Sequence, residues 1–427
     1  MRELFLFVTA LLAISSVSAA TDLETKDYSR EILAKRLLED ISNSDEGELW
    51  GIKLDGPLLI VDPETRDVWS SQADGAGLFK KLTNHEGWVG VLPDEVLVAN
   101  TTVSWEGIGW VMLQGPLPEN NTDLSVLVAH EAWHRIENQL SLPITTPFCA
   151  HLDKYKPRIL MRLEMRALSS ALSSKGSDRL LAVNDALSFR KKRLDLTPEE
   201  RLNERLFDRC EGLANYTGVK LGNKENPIGY TISLLKRFEY LKSFTRTYAY
   251  ATGPAYGLLL DDYMPNWRSV IQHCDDAPAD ILAKSVGEAL DFDYDVRAEV
   301  YNVTEILKEE NQRVDDNKET LAKMVFAYTQ GARLELPIDC IKIQFNPQGV
   351  HSLDSIGTVY DTIVIKDTWG ELKASKGALI DLDFKHVYVI DPSEDCLSGP
   401  GWNLSLKPNY KIEKEDGDSV NKVLEKQ

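Results

Sequence analysis

The pentapeptide His130-Glu131-Ala132-Trp133-His134 constrains this chain more than any other stretch. Leu124, Val126, Leu127, Val128, Ala129 and Ile136 surround it with apolar residues. That pattern predicts a mostly buried helix, capped at its start by Asn121 or Thr122, with Asp123 in the first turn. Two histidines four positions apart project from one face of such a helix. Their imidazoles therefore converge on a single cation, and the intervening Glu131 turns toward a water bound to it. An unpartnered imidazole is costly in a buried setting, so chance placement of both rings is disfavoured. Two imidazoles, one carboxylate and one water make an open zinc site, where the ion lowers the pKa of the water toward ~7. His130 and His134 are the expected Zn2+ ligands, and Glu131 the expected general base.

Two segments downstream extend the pattern. Around Cys210 the chain reads Glu211-Gly212-Leu213-Ala214-Asn215-Tyr216, and further on Tyr250-Ala251-Thr252-Gly253 opens an apolar helix. In this order the three segments resemble the HExxH, E-G-x-A-x-Y and Y-x-K-G-A motifs of the gluzincin zinc metallopeptidases, in particular their zinc aminopeptidase-like catalytic core. The resemblance implies that Glu211 is the third zinc ligand and that Tyr250 donates to the oxyanion formed on a peptide carbonyl. It spans three short segments within residues 122–262, and it departs from the family at four places. Glu211 lies 77 positions after His134, which requires an insertion of two or more helices. Thr252 stands where the family has Lys, Pro254 follows the glycine, and Arg135 is charged. There is no G-x-M-E-N-like signature ahead of the helix, so aminopeptidase specificity does not carry over.

The residues themselves leave alternatives. Glu164 is a rival third ligand, nearer in sequence, although Arg162 and Arg166 beside it suit an ion-paired helix face. Tyr248, Tyr256 and His273 are rival donors to the oxyanion. For the function, a metallopeptidase acting on a peptide or protein substrate stands against two alternatives, a non-catalytic zincin-fold binding protein and a zinc hydrolase of another amide or ester. A site that only binds metal has no need of Glu131.

Residues 1–20 have the order of a secretory signal, with Arg2, an apolar run from Leu4 to Ile14, and small residues up to Ala19 and Ala20. The run is too short to span a bilayer, and no later run reaches the ~20 residues needed. The expectation is an exported protein without an integral membrane span. Export makes disulfides possible for Cys149, Cys210, Cys274, Cys340 and Cys396. Cys340 with Cys396 is the first expected pair, and Cys210 with Cys149 or Cys274 would brace the site. Sequons stand at Asn100, Asn120, Asn215, Asn302 and Asn403, with Asn215 too near the expected site to carry sugar. The net charge of −19 excludes a nucleic-acid footprint.

Periodicity gives an α+β fold. A helix is expected over Asp27–Ile41, then strands at Leu49–Leu54, Pro57–Val61, Val68–Ser71, Trp88–Leu92 and Thr102–Leu113, with Gly107–Gln114 the candidate substrate-binding edge. Helices follow over Arg158–Ser173, Ser177–Arg193 and Pro198–Asn215. The division is a signal over 1–20, an N-terminal helix and β-rich part over 21–120, and a helical zincin-like catalytic region over 121–330. A small all-β domain over 331–410 and a charged, disordered tail over 411–427 complete it.

Overall fold

The structure, a computed structural model, describes residues 23–287, 293–345, 349–353, 356–414 and 420–425. The expected signal segment lies outside them. After helix α1 (Ser29–Asp45) come six strands: β1 (Leu58–Val61), β2 (Asp67–Ser70), β3 (Lys80–Lys81), β4 (Trp88–Val91), β5 (Thr101–Trp105) and β6 (Ile108–Gln114). They form one sheet in the order β3-β4-β2-β1-β6-β5, antiparallel except where β1 runs parallel to β6. Leu58, Ile60, Val111 and Leu113 point to the helices, whereas Leu59, Val61, Trp110 and Met112 fill a smaller core on the other face. The alternation of one strand between two buried faces explains the continuous apolar runs.

Two expectations change here. Leu49–Leu54 is turn rather than strand, with Trp50 and Leu54 buried. The run expected over Thr102–Leu113 is a hairpin, because Glu106 (φ 50°) and Gly107 (φ 73°) both adopt the left-handed backbone of a tight two-residue turn. The sheet edge is therefore β5, while β6, which carries most of Gly107–Gln114, is paired on both sides.

The helical part begins with α2 (Asn121–Ile136), followed by α3 (Tyr155–Ser173), α4 (Gly176–Leu196) and α5 (Arg201–Phe207). A π-helical turn at Asp208–Gly212 leads into α6 (Leu213–Gly222), and then come α7 (Pro227–Phe238) and α8 (Ala249–Tyr263). The long pair α3 and α4 lies between His134 and Glu211 in the chain. Shorter helices α9 (Trp267–Ile271), α10 (Pro278–Val286) and α11 (Tyr294–Val300) lead to α12 (Val303–Gln330). Glu310 of α12 pairs with Arg158 and Arg162 of α3, and its far end packs Leu321, Met324 and Tyr328 on the β domain.

That domain is built from β7 (Arg333–Pro337), β8 (Lys342–Phe345), β9 (Val350–Ser352), β10 (Gly357–Tyr360), β11 (Ile363–Asp367), β12 (Gly370–Ala374), β13 (Ala378–Asp381), β14 (His386–Ile390), β15 (Ser398–Gly399), β16 (Trp402–Leu406), β17 (Tyr410–Glu413) and β18 (Val420–Glu425). They form two sheets around one core, in the orders β17-β18-β7-β14-β13-β10-β9 and β15-β16-β12-β11-β8. The expected tail is thus partly strand: Tyr410, Ile412 and Val423 supply apolar side chains to the sandwich, and β18 pairs parallel to β7. No disulfide joins the five cysteines. Cys340 is exposed on a turn whose N–H binds Asp367, while the buried Cys396 sulfur accepts from Asn421. No helix among the described residues is long and apolar enough to cross a membrane.

Candidate metal centre

Helix α2 is started by Asn120, one residue earlier than expected, whose side chain accepts from the Thr122 and Asp123 N–H groups at 2.8 and 3.1 Å. Its charged Arg135 ties the helix to the sheet, donating to the Gly109 carbonyl at 3.0 Å and pairing with Asp55 at 3.1 Å. This fixes the face on which His130 and His134 lie. Across from it runs α6, whose Gly218 lets the helices approach: a Cβ there would stand 2.7 Å from the Val126 carbonyl oxygen. The π turn carries Glu211 to the same point. Such turns add a residue to the helical ladder and recur at functional sites.

Three donor atoms converge. His130 Nε2 lies 3.2 Å from His134 Nε2, Glu211 Oε2 lies 3.4 Å from the first and 3.7 Å from the second. A triangle of these sides has a point about 2.0 Å from every corner, the length of a zinc bond to nitrogen or to carboxylate oxygen. Glu211 Oε2 and Glu131 Oε2 are buried and have no hydrogen-bond partner. Two orphaned carboxylate oxygens beside two imidazoles are expensive unless a cation joins them. The donor set therefore fits zinc, with Glu131 Oε1 set back at 3.9 Å from His130 Nε2.

The other ring nitrogens are held in place. His134 Nδ1 donates to Glu137 Oε2 at 3.1 Å, and His130 Nδ1 faces Asn215 Oδ1 at 3.3 Å. Both contacts leave Nε2 free toward the centre, as second-layer partners of histidine ligands do. The Asn215 amide in turn donates to the Tyr250 carbonyl. That carbonyl is available because Pro254, four residues on, has no N–H to give it. Pro254 is thus part of the site's architecture. The Cys210 thiol, expected in a disulfide, lies 3.7 Å from Glu137 Oε2, and burial pushes it up to about 11. Cys149 is likewise a free thiol, buried among groups that include Glu204, Asp208 and Tyr248.

Tyr250 stacks on His130 with ring centres 5.4 Å apart and planes 10° from parallel. Gly212 and Gly253 allow this, since a Cβ on Gly253 would sit 2.4 Å from the Gly212 backbone. The glycines of the two downstream motifs thus touch each other, bringing Tyr250 beside Glu211. Burial and the Glu211 carboxylate hold the Tyr250 phenol well above its usual range, so it stays protonated. Burial also raises the Glu131 carboxyl, outweighing the nearby imidazoles, whereas at Glu211 the imidazoles outweigh burial and hold the carboxyl well below its usual range.

The rivals are engaged elsewhere. Glu164 is fully buried, pairs with Arg193 and accepts from Tyr256 at 2.7 Å. Tyr248 donates to the Glu204 carbonyl at 3.0 Å, and His273 is exposed, bonded to the Ser269 carbonyl at 2.8 Å. The cleft of 730 Å³ over the centre is lined on one side by Thr101, Thr102 and Ser104 of edge strand β5, and by Glu131, Tyr250 and Arg246 among others. Glu137, Asn215 and Arg246 were not singled out from the sequence. The first two stand at helical spacing from His134 and Glu211, i+3 and i+4, which is the signal that marks them. Comparison with known proteins gives no match: no family model, no curated protein and no solved structure matches this chain.

Proposed function

We propose that this chain is a zinc-dependent metallopeptidase of gluzincin type, exported under the direction of residues 1–20, and that it hydrolyses peptide bonds with Glu131 as general base. The observation that carries the reading is the meeting of His130 Nε2, His134 Nε2 and Glu211 Oε2 at zinc-ligand spacing, next to a buried carboxylate with an orphaned oxygen. Bound by these three residues, zinc would polarise the scissile carbonyl and lower the pKa of the attacking water. Glu131, its carboxyl raised by burial, takes a proton from that water and passes it to the leaving amine. Tyr250, kept protonated, donates its O–H to the developing oxyanion. The free edge of β5 along the cleft suits an extended peptide, which it would hold by main-chain hydrogen bonds. That edge favours a peptide over a small amide or ester.

Elemental analysis beside a peptide-hydrolysis assay tests this. Wild type is expected to hold one zinc per chain. Glu131→Gln should keep the metal and lose ~10²–10⁴-fold in kcat, and Glu211→Ala should lose both metal and activity. Wild-type protein purified without metal, and inert after zinc is added, would sink the reading.

A further inference from the structure

Two arginines line the cleft without an acid partner among the described residues, the exposed Arg237 and the more deeply set Arg246. Arg246 sits in the turn before α8, four residues ahead of Tyr250, and is half-buried. Its Nη1 donates to the Thr146 carbonyl at 2.8 Å and its Nη2 to Thr146 Oγ1 at 2.9 Å. The guanidinium carbon lies 5.0 Å from the centre of the Phe148 ring and 6.0 Å from that of Phe207. Two hydrogen bonds and two rings fix the plane of the fork while using only two of its five donors.

No carboxylate among the described residues pairs with it. Four other arginines of the helical core have one: Arg158 and Arg162 meet Glu310, Arg190 meets Asp208, and Arg193 meets Glu164 and Glu204, while Arg209, outside the cleft, donates to the Asp276 and Ile271 carbonyls. In a chain of net charge −19, an arginine left without an acid in a cleft points to a partner from outside. The position is also built rather than incidental. Phe148 stacks on Phe345 of β8, with centres 6.0 Å apart and planes 18° from parallel, so the β domain buttresses the ring on which Arg246 lies.

We infer that Arg246 is the specificity-determining residue of this cleft, and that it binds a carboxylate of the substrate, either the C-terminal carboxylate or an Asp or Glu side chain near the bond cleaved. Planar carboxylate is the anion that matches a fixed guanidinium fork. The inference deepens the peptidase reading and rests on it for the word substrate. The binding of the carboxylate is separable from catalysis.

The experiment is calorimetry on Glu131→Gln protein, zinc-loaded and again with chelator, using three probes. These are N-acetyl-tetraalanine as the free acid, its amide, and the amide with one Glu in place of Ala. One acidic probe should bind 10- to 100-fold more tightly than the neutral amide, with or without zinc, and adding Arg246→Gln should abolish that advantage while moving the neutral peptide less than about twofold. Advantage for the free acid assigns a C-terminal carboxylate, and advantage for the Glu peptide assigns a side chain. Phe345→Ala, outside the cleft lining, should reduce the same advantage several-fold and guards against a folding defect in the arginine variant. Equal affinity for acidic and neutral probes, equal weakening of both by Arg246→Gln, an advantage that disappears with chelator, or no binding of either acidic probe would overturn the inference. A carboxylate preference that persists in a protein without peptidase activity leaves this site standing and removes only the hydrolase reading.

Discussion

Within one stretch, from Glu204 to Glu211, the chain builds two buried acidic clusters with opposite properties. Behind the cleft, Glu204 accepts from Arg193 at 2.8 and 3.0 Å and from His151 at 2.7 Å, Asp208 meets Arg190 at 2.6 Å, and Glu164 meets Arg193 and Tyr256. Three residues beyond Asp208, Glu211 faces two imidazoles at 3.4 and 3.7 Å and keeps an oxygen without a well-formed hydrogen bond. Burial alone therefore says little about a carboxylate's role. The partners decide: in the first cluster the unpartnered buried atoms are nitrogens of Arg190 and His151 while the carboxylates meet arginine forks, whereas in the second, with histidine nitrogens turned by Glu137 and Asn215, they are carboxylate oxygens. Both Asp208 and Glu211 lie in the π turn, whose wider winding sets Glu211 apart from the face that carries Asp208.

Glu204→Gln should have the largest effect on the arginine-held cluster. Removing one partner of a buried ion pair strands the other, so stability should fall by ~3–5 kcal/mol by denaturant titration, with zinc stoichiometry kept in the folded fraction. The pH dependence sharpens it. At Glu204, burial opposes ionisation but Arg193, His151 and Arg190 outweigh it, holding the carboxyl far below its ordinary 4.5. Its stabilisation is then present above that value and lost as the pH falls below it. Asp208 has the other sign. Burial outweighs Arg190 and raises it to about 6, so its ionisation costs stability at neutral pH and is relieved as the pH falls through 6. Glu204→Gln should flatten the acid limb below pH 4.5 and, by removing a neighbouring negative charge, also lessen the upward shift of Asp208. A variant as stable as wild type would mean that the arginine cluster is not the structural half of the pair.

Next in size is Tyr250→Phe, which keeps the ring stacked on His130 and removes only the O–H. Loss of an oxyanion donor should lower kcat by ~10²–10³-fold, about 3–4 kcal/mol, with KM and zinc content nearly unchanged. An unchanged kcat would reduce Tyr250 to a wall of the histidine pocket and weaken the assignment of the second cluster as catalytic.

Much of this was legible in sequence because it is periodic or local. The His130 and His134 spacing, the helices over Arg158–Ser173 and Ser177–Arg193, and the strands at Pro57–Val61, Val68–Ser71 and Trp88–Leu92 all follow from the 3.6- and 2-residue repeats. What failed depended on neighbours that no local pattern reveals. The β5–β6 turn rests on Glu106 taking a left-handed backbone, which non-glycine residues adopt only in context. Strands β17 and β18 look like a charged tail because only alternate residues reach the sandwich core. Tyr248, Tyr256 and Glu164 were plausible site residues until their partners, all far apart in sequence, were in view. Gly212 and Gly253 read as two separate motif glycines, yet their use is mutual contact.

The smallest expected effect tests the least legible link. Pro254→Ala restores an N–H four residues after Tyr250, and that N–H competes with the Asn215 amide for the Tyr250 carbonyl. The helix gains, because proline inside it costs up to ~3 kcal/mol, so the melting temperature should rise. The site loses, because an Asn215 no longer held by Tyr250 orients His130 less well. Removing such a second-layer partner outright costs 10- to 100-fold in metal affinity, so loosening it should cost about tenfold or less. Zinc affinity by competition with a chelator, read beside thermal unfolding of the metal-free protein, should therefore move in the opposite direction to stability. Were both to rise together, Asn215 would owe nothing to the proline, and the placing of His130 would have to come from α2 and Tyr250 alone.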